Sequence, residues 1–284
     1  MKQRKLEQAT KGVFALSTVV TGSLAVLIFF FLFYFSMPLI TSGHLGEFFS
    51  SRWDPDAHAF GIYPMIMGTV YIAMLATLLA APLGISLAIF MEVIAPPLLS
   101  RFLRTLVEFM AGIPTVVYGF AALFLLVPLV RNIFEQGSGL CILTALLVLA
   151  LLIIPTVTMI SQDRLKNVPD TYILAAKSLG ASDVETLFYL YLPHTWKGIL
   201  SAVVLGAGRA VGDTMIALMV AGNAVQIPSS LIDSARTLTS HIALVTAADY
   251  ESKSFKAIFI CGLILFIFSA WNILFLRILG RLKR

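Results

Sequence analysis

The sequence predicts an all-α membrane protein that crosses the bilayer six times. Apolar residues make up 59% of the 284 residues and only 12% are charged, about half of the share that is usual in soluble domains. Several charge-poor stretches are also long enough to cross the hydrocarbon core, which needs about 20 residues in a helix. A soluble enzyme, a disordered chain and a disulfide scaffold are therefore excluded as descriptions of the whole chain.

Six charge-poor stretches are the candidate spans. The first follows a basic N-terminus and imitates a secretory signal, but it is too long for the apolar core of a signal and is expected to remain as a transmembrane helix. The chain is then organised as an N-terminal helix with its extracytoplasmic loop over residues 1–61 and a transmembrane domain over residues 62–280. The spans are expected at about residues 13–36, 62–93, 102–130, 140–160, 198–225 and 255–276.

Lysine and arginine residues collect on one side of this arrangement. Of the 20, 14 fall on the side that carries both termini and 5 on the opposite side, while Arg209 lies within a span. Basic residues of membrane proteins concentrate on the cytoplasmic side. Both termini and the segment 161–197, the largest loop on that side, are therefore predicted to be cytoplasmic.

The chain carries no motif for chemistry of its own. It has no phosphate-binding loop of the Gly-x4-Gly-Lys-[Ser/Thr] type, so it is not expected to hydrolyse ATP. Its four histidines lack metal-ligand spacing, and no Ser/His/Asp motif occurs. Cys141 and Cys261 lie singly in apolar runs and are interpreted as packing residues. We therefore predict no catalytic residue, no metal ligand and no cofactor bound by this chain.

The segment 161–197 contains the signals of a helical hairpin. Pro169 can open a first helix, and Gly180 can close it in a left-handed conformation. Ser182 and Glu185 have the spacing of a capping box for a second, short helix. The apolar ridge of the first helix can seat in a groove on a soluble partner or lie on the lipid surface, and the residues alone leave both interpretations open. The ridge consists of Ile173, Ala176 and Leu179.

Two charged residues lie inside the fifth predicted span. Arg209 and Asp213 are four residues apart, which places them on one face of a helix. A charge in mid-membrane is costly unless it is paired or hydrated. The two side chains therefore form either an internal ion pair that locks the helices together or part of a water-filled path. Asn223 would lie about 40° from Arg209 around the same helix and would continue its polar face.

Glu108, in the third predicted span, poses a similar choice. It can pair with Arg104, one turn earlier, as a structural clamp near the cytoplasmic edge. It can instead face the path, on the same side of the helix as Thr115. Pro114 should soften this helix.

The cytoplasmic segment resembles a known family at several positions. Its pattern Ala-Ala-x3-Gly-x9-[Ile/Leu]-x-Leu-Pro is similar to the "EAA" loop of binding-protein-dependent ABC importer permeases. Leu174 stands where Glu is usual, and Leu190 stands where Ile is usual. The resemblance implies that the segment docks on a separate ATPase subunit, with the second helix expected to end before the Leu-Pro pair. The residues that carry it are Ala175, Ala176, Gly180, Leu190, Leu192 and Pro193.

Three further motifs resemble phosphate ABC importer permeases of the PstC type. The resemblance covers roughly residues 50–280 and implies the type I ABC importer permease fold in a prokaryotic plasma (inner) membrane, with no nucleic acid. The implied partners are a second, PstA-like permease subunit, two ATP-binding subunits that use ATP and Mg, an extracytoplasmic phosphate-binding protein and membrane lipid. The motifs are Trp53-Asp54-Pro55, Glu108-x5-Pro114-Thr-Val-Val-Tyr-Gly119 and Gly208-Arg209-Ala-Val-Gly212-Asp213-Thr-Met215.

With this resemblance, the intramembrane charges are expected to line a substrate pathway. An arginine offers parallel donors to an oxyanion, and a carboxylate can accept the P–OH proton that phosphate, unlike sulfate, keeps near neutral pH. The alternatives are a permease for another oxyanion such as molybdate, sulfate or phosphonate, a secondary transporter or channel, and a membrane enzyme. The predicted pathway residues are Arg209, Asp213, Asn223, Glu108 and Thr115.

Overall fold

The protein is helical throughout in the computed structural model, which describes residues 2–41, 46, 49–54, 59–135, 137–246 and 253–281. Pro55 of the first motif and the basic residues Lys283 and Arg284 lie outside these residues. The helices are α1 (Lys2–Thr41), α2 (Tyr63–Ile89), α3 (Pro97–Gly112), α4 (Thr115–Phe134), α5 (Ile142–Lys166), α6 (Asp170–Ser178), α7 (Asp183–Thr186), α8 (Leu192–Gly212), α9 (Met215–Val220), α10 (Leu238–Val245) and α11 (Lys253–Arg281). Two π-helical segments, Phe90–Ile94 and Leu187–Tyr191, and a hairpin of β1 (Trp53–Asp54) and β2 (Ala59–Phe60) complete the described elements.

Five helices of the described residues are long and apolar enough to cross a membrane. They agree with five of the six predicted spans, although the third has its apolar helix at Thr115–Phe134 only. The fifth predicted span is absent from this set because α8 carries charges and ends at Gly212. The five apolar segments are Thr10–Pro38, Tyr63–Ile94, Thr115–Phe134, Ile142–Lys166 and Ala257–Gly280.

The third and fifth predicted spans are each divided into two helices, so the expectation that each is one continuous helix is wrong. The third is divided at Ile113, which takes an extended conformation (φ −71°, ψ 127°) before Pro114. A residue that precedes proline is pushed out of the helical region, so the chain breaks there instead of softening. The fifth is divided at Asp213, which is also extended (φ −72°, ψ 129°).

Helix α5 forms the centre of the bundle. It packs against α2 and α8, and its side chains Leu149, Ile153 and Val157 are almost fully buried. Glycines let the flanking helices approach closely, because a Cβ at Gly84 of α2 would lie 3.0 Å from Val157 and one at Gly206 of α8 would lie 2.8 Å from Ile153. The three helices therefore form one tightly packed core.

Helix α1 stands outside this core and packs on α11. Its contact consists of aromatic rings: Phe29 lies 5.4 Å from Phe266 and Phe35 lies 4.9 Å from Phe259, measured between ring centroids. The apolar side chains of its other faces are exposed, as expected for a helix that is surrounded by lipid. Both cysteines are buried free thiols, in agreement with their interpretation as packing residues, and Cys141 Sγ lies 3.5 Å from Oγ1 of Thr144.

Candidate functional site

Arg209 lies in the last turn of α8 and points at α5. Its Nη1 donates a hydrogen bond of 2.8 Å to Oγ1 of Thr156. At 1.5 Å per residue, Thr156 is about 21 Å along α5 from Ile142 and about 15 Å from Lys166, so the guanidinium lies near the middle of the span. Among the described ion pairs, none involves Arg209. Of the two interpretations that the sequence leaves open, the direct Arg209–Asp213 ion pair is therefore not formed, although the two charges still interact through space.

Asp213 is used instead to connect two helices. It follows the last residue of α8, is 8% exposed, and its Oδ2 accepts a hydrogen bond of 2.8 Å from the N–H of Ile216 in α9. Its backbone carbonyl accepts a bond of 2.8 Å from Oγ1 of Thr239 in α10. A carboxylate that accepts a free N–H at a helix start stabilises that helix. The side chain thus holds the break in the predicted fifth span in place.

Asn223 lies beyond both helices, in a left-handed conformation (φ 61°). The expectation that it continues the helical face of Arg209 is wrong, because α9 ends at Val220 and the chain turns at Gly222 (φ 87°). Its Nδ2 donates to the carbonyl of Leu218 over 2.7 Å, while its buried Oδ1 has no hydrogen-bond partner.

Arg236 joins this region although the sequence does not single it out. Its Nε donates a bond of 2.9 Å to the backbone carbonyl of Asn223, and it is partly buried with no described carboxylate paired to it. A signal was available: Arg236 and Asp233 are the only charged residues between 226 and 245.

A buried polar seam fixes the end of the bundle that is formed by α10 and the start of α2. Thr237 and Ser240 form a capping box at the start of α10, and the N–H of Leu238 donates to Oγ1 of Thr69 in α2 over 2.9 Å. His241 is fully buried, neither ring nitrogen has a partner, and its ring lies edge-on to Trp53 at 4.3 Å. Burial lowers the pKa of His241 to about 3, so the ring is neutral and packs as an aromatic group.

Glu108 pairs with Arg104, as one of its two interpretations predicted. Nε of Arg104 and Oε1 of Glu108 are 2.9 Å apart, and both side chains are about half exposed. The two line a recess of about 220 Å³ between α3 and α5, together with Gln162 and Lys166 at the end of α5. The pair therefore lies nearer the end of the bundle than Arg209 does.

Thr115 is the first residue of α4 and is partly buried beside the break at Pro114. The break itself is bridged by Tyr118, whose hydroxyl donates to the carbonyl of Met110 over 2.9 Å. Gly119 leaves room for the side chain of Met219, whose sulfur would lie 2.7 Å from an added Cβ. The glycine therefore allows α4 to pack on α9.

The segment 161–197 folds as its local signals predict. Pro169 precedes α6, and Gly180 has a φ of 86°. The N–H groups after α6 satisfy its last carbonyls, with Ala181 bonded to Ala176 over 3.1 Å. The capping box at Ser182 is complete, and its hydrogen bonds lower the pKa of Glu185.

The outer surface of this hairpin is apolar. No residue of α6 is fully buried, and Leu174 within the helix is 63% exposed and Leu179 just after it is 89% exposed. Ile173 and Ala176 of the predicted ridge are partly buried.

The second helix, α7, is short and ends at Thr186, before Leu192-Pro193, as predicted, but the helical backbone does not stop there. The π-helical segment Leu187–Tyr191 leads directly into α8, with Pro193 in its first turn, where the missing N–H of proline breaks no bond.

A family model described as "Binding-protein-dependent transport system inner membrane component" matches residues 80–284. The chain belongs to this family. The matched region of the permease begins within α2 and contains every predicted pathway and coupling residue. It does not contain α1 or Trp53.

Two curated relatives match the permease over most of its length. It is 36% identical over 242 residues to the probable ABC transporter permease protein YqgH of Bacillus subtilis, across 84% of this chain and 78% of that protein. It is 33% identical over 240 residues to the phosphate transport system permease protein PstC of Mesorhizobium japonicum, across 77% and 72%.

Solved structures share the fold. The permease superposes on a chain of an inward-facing MetNI methionine ABC transporter with a TM-score of 0.59 and 16% identity, over 77% of this chain and 94% of that one. The predicted type I ABC importer permease fold is confirmed.

Proposed function

We propose that this chain is the transmembrane permease subunit of an ATP-driven phosphate importer in a prokaryotic plasma membrane, with both termini in the cytoplasm. The observation that carries the proposal is the Arg209 guanidinium, which lies near mid-span and forms no direct ion pair with an acidic side chain among the described residues. The PstC name of the Mesorhizobium japonicum relative supports phosphate as the anion. A guanidinium that is not neutralised within the chain is free to bind an anion that passes.

The contact to Thr156 suits a transport role. It uses one of the five N–H donors of Arg209 and holds the fork in place, so the other donors can bind phosphate oxygens. A hydroxyl partner does not cancel the charge, as a carboxylate would. A single fixed charge binds an anion strongly enough for it to enter and weakly enough for it to leave.

Selectivity for phosphate requires an acceptor beside the arginine. The Asp213 carboxylate accepts N–H groups at the start of α9, and its remaining acceptor positions can accept a P–OH proton. The unpartnered Oδ1 of Asn223 is a second acceptor on the outer side of the break. Sulfate has no such proton near neutral pH, so these acceptors disfavour it.

The remaining predicted pathway residues, Glu108 and Thr115, lie where the anion would leave the path after Arg209. The recess that contains Glu108 begins at Met159, about one turn along α5 from Thr156. Thr115 borders the break between α3 and α4, where the helix pair can change its angle. In this proposal Glu108 remains paired with Arg104 and fixes α3, and the path runs beside the pair.

Coupling runs through the hairpin of α6 and α7. We propose that the exposed side of α6, which presents Leu174 and Leu179, docks on one of two ATP-binding subunits, which use ATP and Mg, while this chain binds no cofactor and has no ATPase site. The chain continues without a loop from α7 into α8, and Arg209 lies about 26 Å along α8 from Leu192. Rocking of the hairpin would therefore move Arg209. The coupling residues are Ala175, Ala176, Gly180, Leu190, Leu192 and Pro193.

The other partners are a second, PstA-like permease subunit and an extracytoplasmic phosphate-binding protein that meets the segments 37–61 and 226–253. The test is uptake of labelled phosphate by proteoliposomes that contain the whole complex. We expect uptake that requires ATP and the binding protein and that equal concentrations of sulfate, molybdate or a phosphonate do not inhibit. Inhibition by one of these anions would favour the other-oxyanion importer, and uptake without the ATP-binding subunits would favour a secondary transporter.

A further inference from the structure

A second concave site lies at the opposite end of α8 from Arg209. It has a volume of about 870 Å³ and is formed where the end of α5, the start of α8 and the end of α11 meet. Cavities of this size bind small molecules in other proteins. It is separate from the proposed pathway, and the proposed function assigns it no role. We call it the basal groove.

The polar wall of the basal groove is positively charged. Arg164, His194 and Lys197 line it, and none of its lining residues is acidic. No described acidic side chain forms an ion pair with Arg164. The aliphatic stem of Arg164 crosses α8 at Gly198, where any Cβ would collide with it. The glycine therefore allows this guanidinium to lie in the groove.

The opposite wall is apolar and follows the helices toward the bundle. Leu205, Leu276 and Leu279 form it, and Leu205 lies about 12 Å along α8 from Lys197. Trp196 is half exposed beside the basic end, and the Lys197 ammonium lies 5.6 Å from its ring centroid. Tryptophan with lysine is typical of side chains at the headgroup level of a membrane. The groove thus changes from cationic to apolar within the length of a headgroup and the first part of an acyl chain.

We propose that the basal groove binds the phosphate-containing headgroup of an anionic phospholipid, with the start of an acyl chain against the leucine wall. Arg164 can donate to the phosphodiester and Lys197 adds positive charge beside it, and basic recesses between the cytoplasmic ends of helices bind such headgroups in other membrane proteins. A free phosphate ion has the same charged chemistry, but it would leave the apolar wall without an occupant. The assignment rests on the proposed cytoplasmic orientation of this end.

A lipid in the basal groove would contact the region that connects the coupling hairpin to the helices of the bundle. His194 of the groove lies 6.2 Å from Tyr172 of α6, measured between ring centroids. The same groove is bordered by Gly280 near the end of α11. A bound headgroup therefore joins the coupling hairpin to α5 and α11 and holds the start of α8 in one position.

Native mass spectrometry of the whole complex, purified from vesicles of phosphatidylcholine and phosphatidylglycerol, tests the proposal. We expect the complex to retain phosphatidylglycerol preferentially. Arg164→Gln and Lys197→Gln should each lower retention about fivefold. The double variant Arg164→Lys/Lys197→Arg exchanges the two side chains but keeps both positive charges, so it should preserve retention. Arg101→Gln is the matched control, because Arg101 is an exposed cation of the same predicted side outside the groove.

Three outcomes would overturn the proposal. They are equal retention by the neutral variants and the unchanged complex, equal loss in the variant that keeps both charges, and binding of inorganic phosphate alone to complexes in phosphatidylcholine with the same dependence on Arg164. Size-exclusion profiles establish that each variant is an intact complex. Because the readout is lipid retention, its failure is distinguishable from a failure of phosphate uptake.

Discussion

Asp213 shows how a charge inside the bundle is satisfied without an ion pair. Its carboxylate accepts the N–H of Ile216 over 2.8 Å, so it stabilises the start of α9, and it forms no direct ion pair with Arg209. A buried carboxylate is tolerated where hydrogen bonds replace its hydration. The hydrogen bond that fixes the break in the helix therefore uses the carboxylate that lies one turn from Arg209.

Substitutions of Asp213 separate its hydrogen bond from its charge. Asp213→Asn keeps an acceptor oxygen for Ile216, so we expect the thermal stability of the purified complex to stay close to that of the unchanged protein. Asp213→Ala leaves that N–H buried and unpaired, which costs about 1–3 kcal/mol, and should lower the melting temperature. Equal stability of the two variants would contradict the capping role. If the complex that carries Asp213→Asn transports sulfate as well as phosphate, the charge of Asp213 contributes to selectivity.

The sequence predicts which residues are unusual better than it predicts their partners. Arg209 is identifiable because an arginine inside an apolar helix needs a reason. Its actual partner, Thr156, lies 53 residues away in another helix, and no local pattern marks it. Arg236 is missed for a related reason. Its hydrogen-bond partner is the backbone carbonyl of Asn223, 13 residues earlier, and the two meet only because the chain turns back between them.

At the level of helices, caps and prolines in the sequence predict where a helix ends only where packing against other helices does not override them. The Gly180 cap and the Ser182 capping box are predicted correctly because they involve neighbouring residues in an exposed hairpin. Prolines are less informative. Pro82 and Pro155 lie inside unbroken helices, whereas Pro114 divides one. Packing against neighbouring helices decides which proline is accommodated, and this is not visible in the sequence.

The turn at Gly180 is expected to be required for coupling. Valine strongly disfavours the φ of 86° found there, so Gly180→Val should displace α7 and release the ATP-binding subunit. Copurification of the ATP-binding subunits with the tagged permease measures the effect. Gly180→Asn should retain them, because asparagine tolerates this conformation.

Gly137→Val is the matched control for this substitution. Gly137 also has a positive φ, 72°, and no atom lies within 4 Å of its added Cβ, but it belongs to the turn between α4 and α5. The strain of the substitution is similar and its location differs. If Gly180→Val copurifies and transports normally, α6 is not the docking helix; loss of the ATP-binding subunits with both variants would point to general misfolding.

Across the whole molecule, a tightly packed core of three helices is joined to an exposed hairpin of α6 and α7. Helices α2, α5 and α8 are packed through glycines at their crossings, so they are expected to move as a unit. Helix α8 also continues the coupling hairpin at one end and carries Arg209 near the other. A displacement of the hairpin on ATP binding would therefore reach the anion site through one continuous helix.

The central claim is that Arg209 binds the transported anion, and its most direct test is labelled phosphate uptake by the reconstituted complex carrying Arg209→Gln. We expect uptake to fall about 30-fold or more, as when a buried charged contact is lost, while the subunits still copurify and hydrolyse ATP at the unchanged basal rate. Arg209→Lys keeps the charge without the fork and should give intermediate uptake. Normal phosphate uptake by Arg209→Gln would contradict the account.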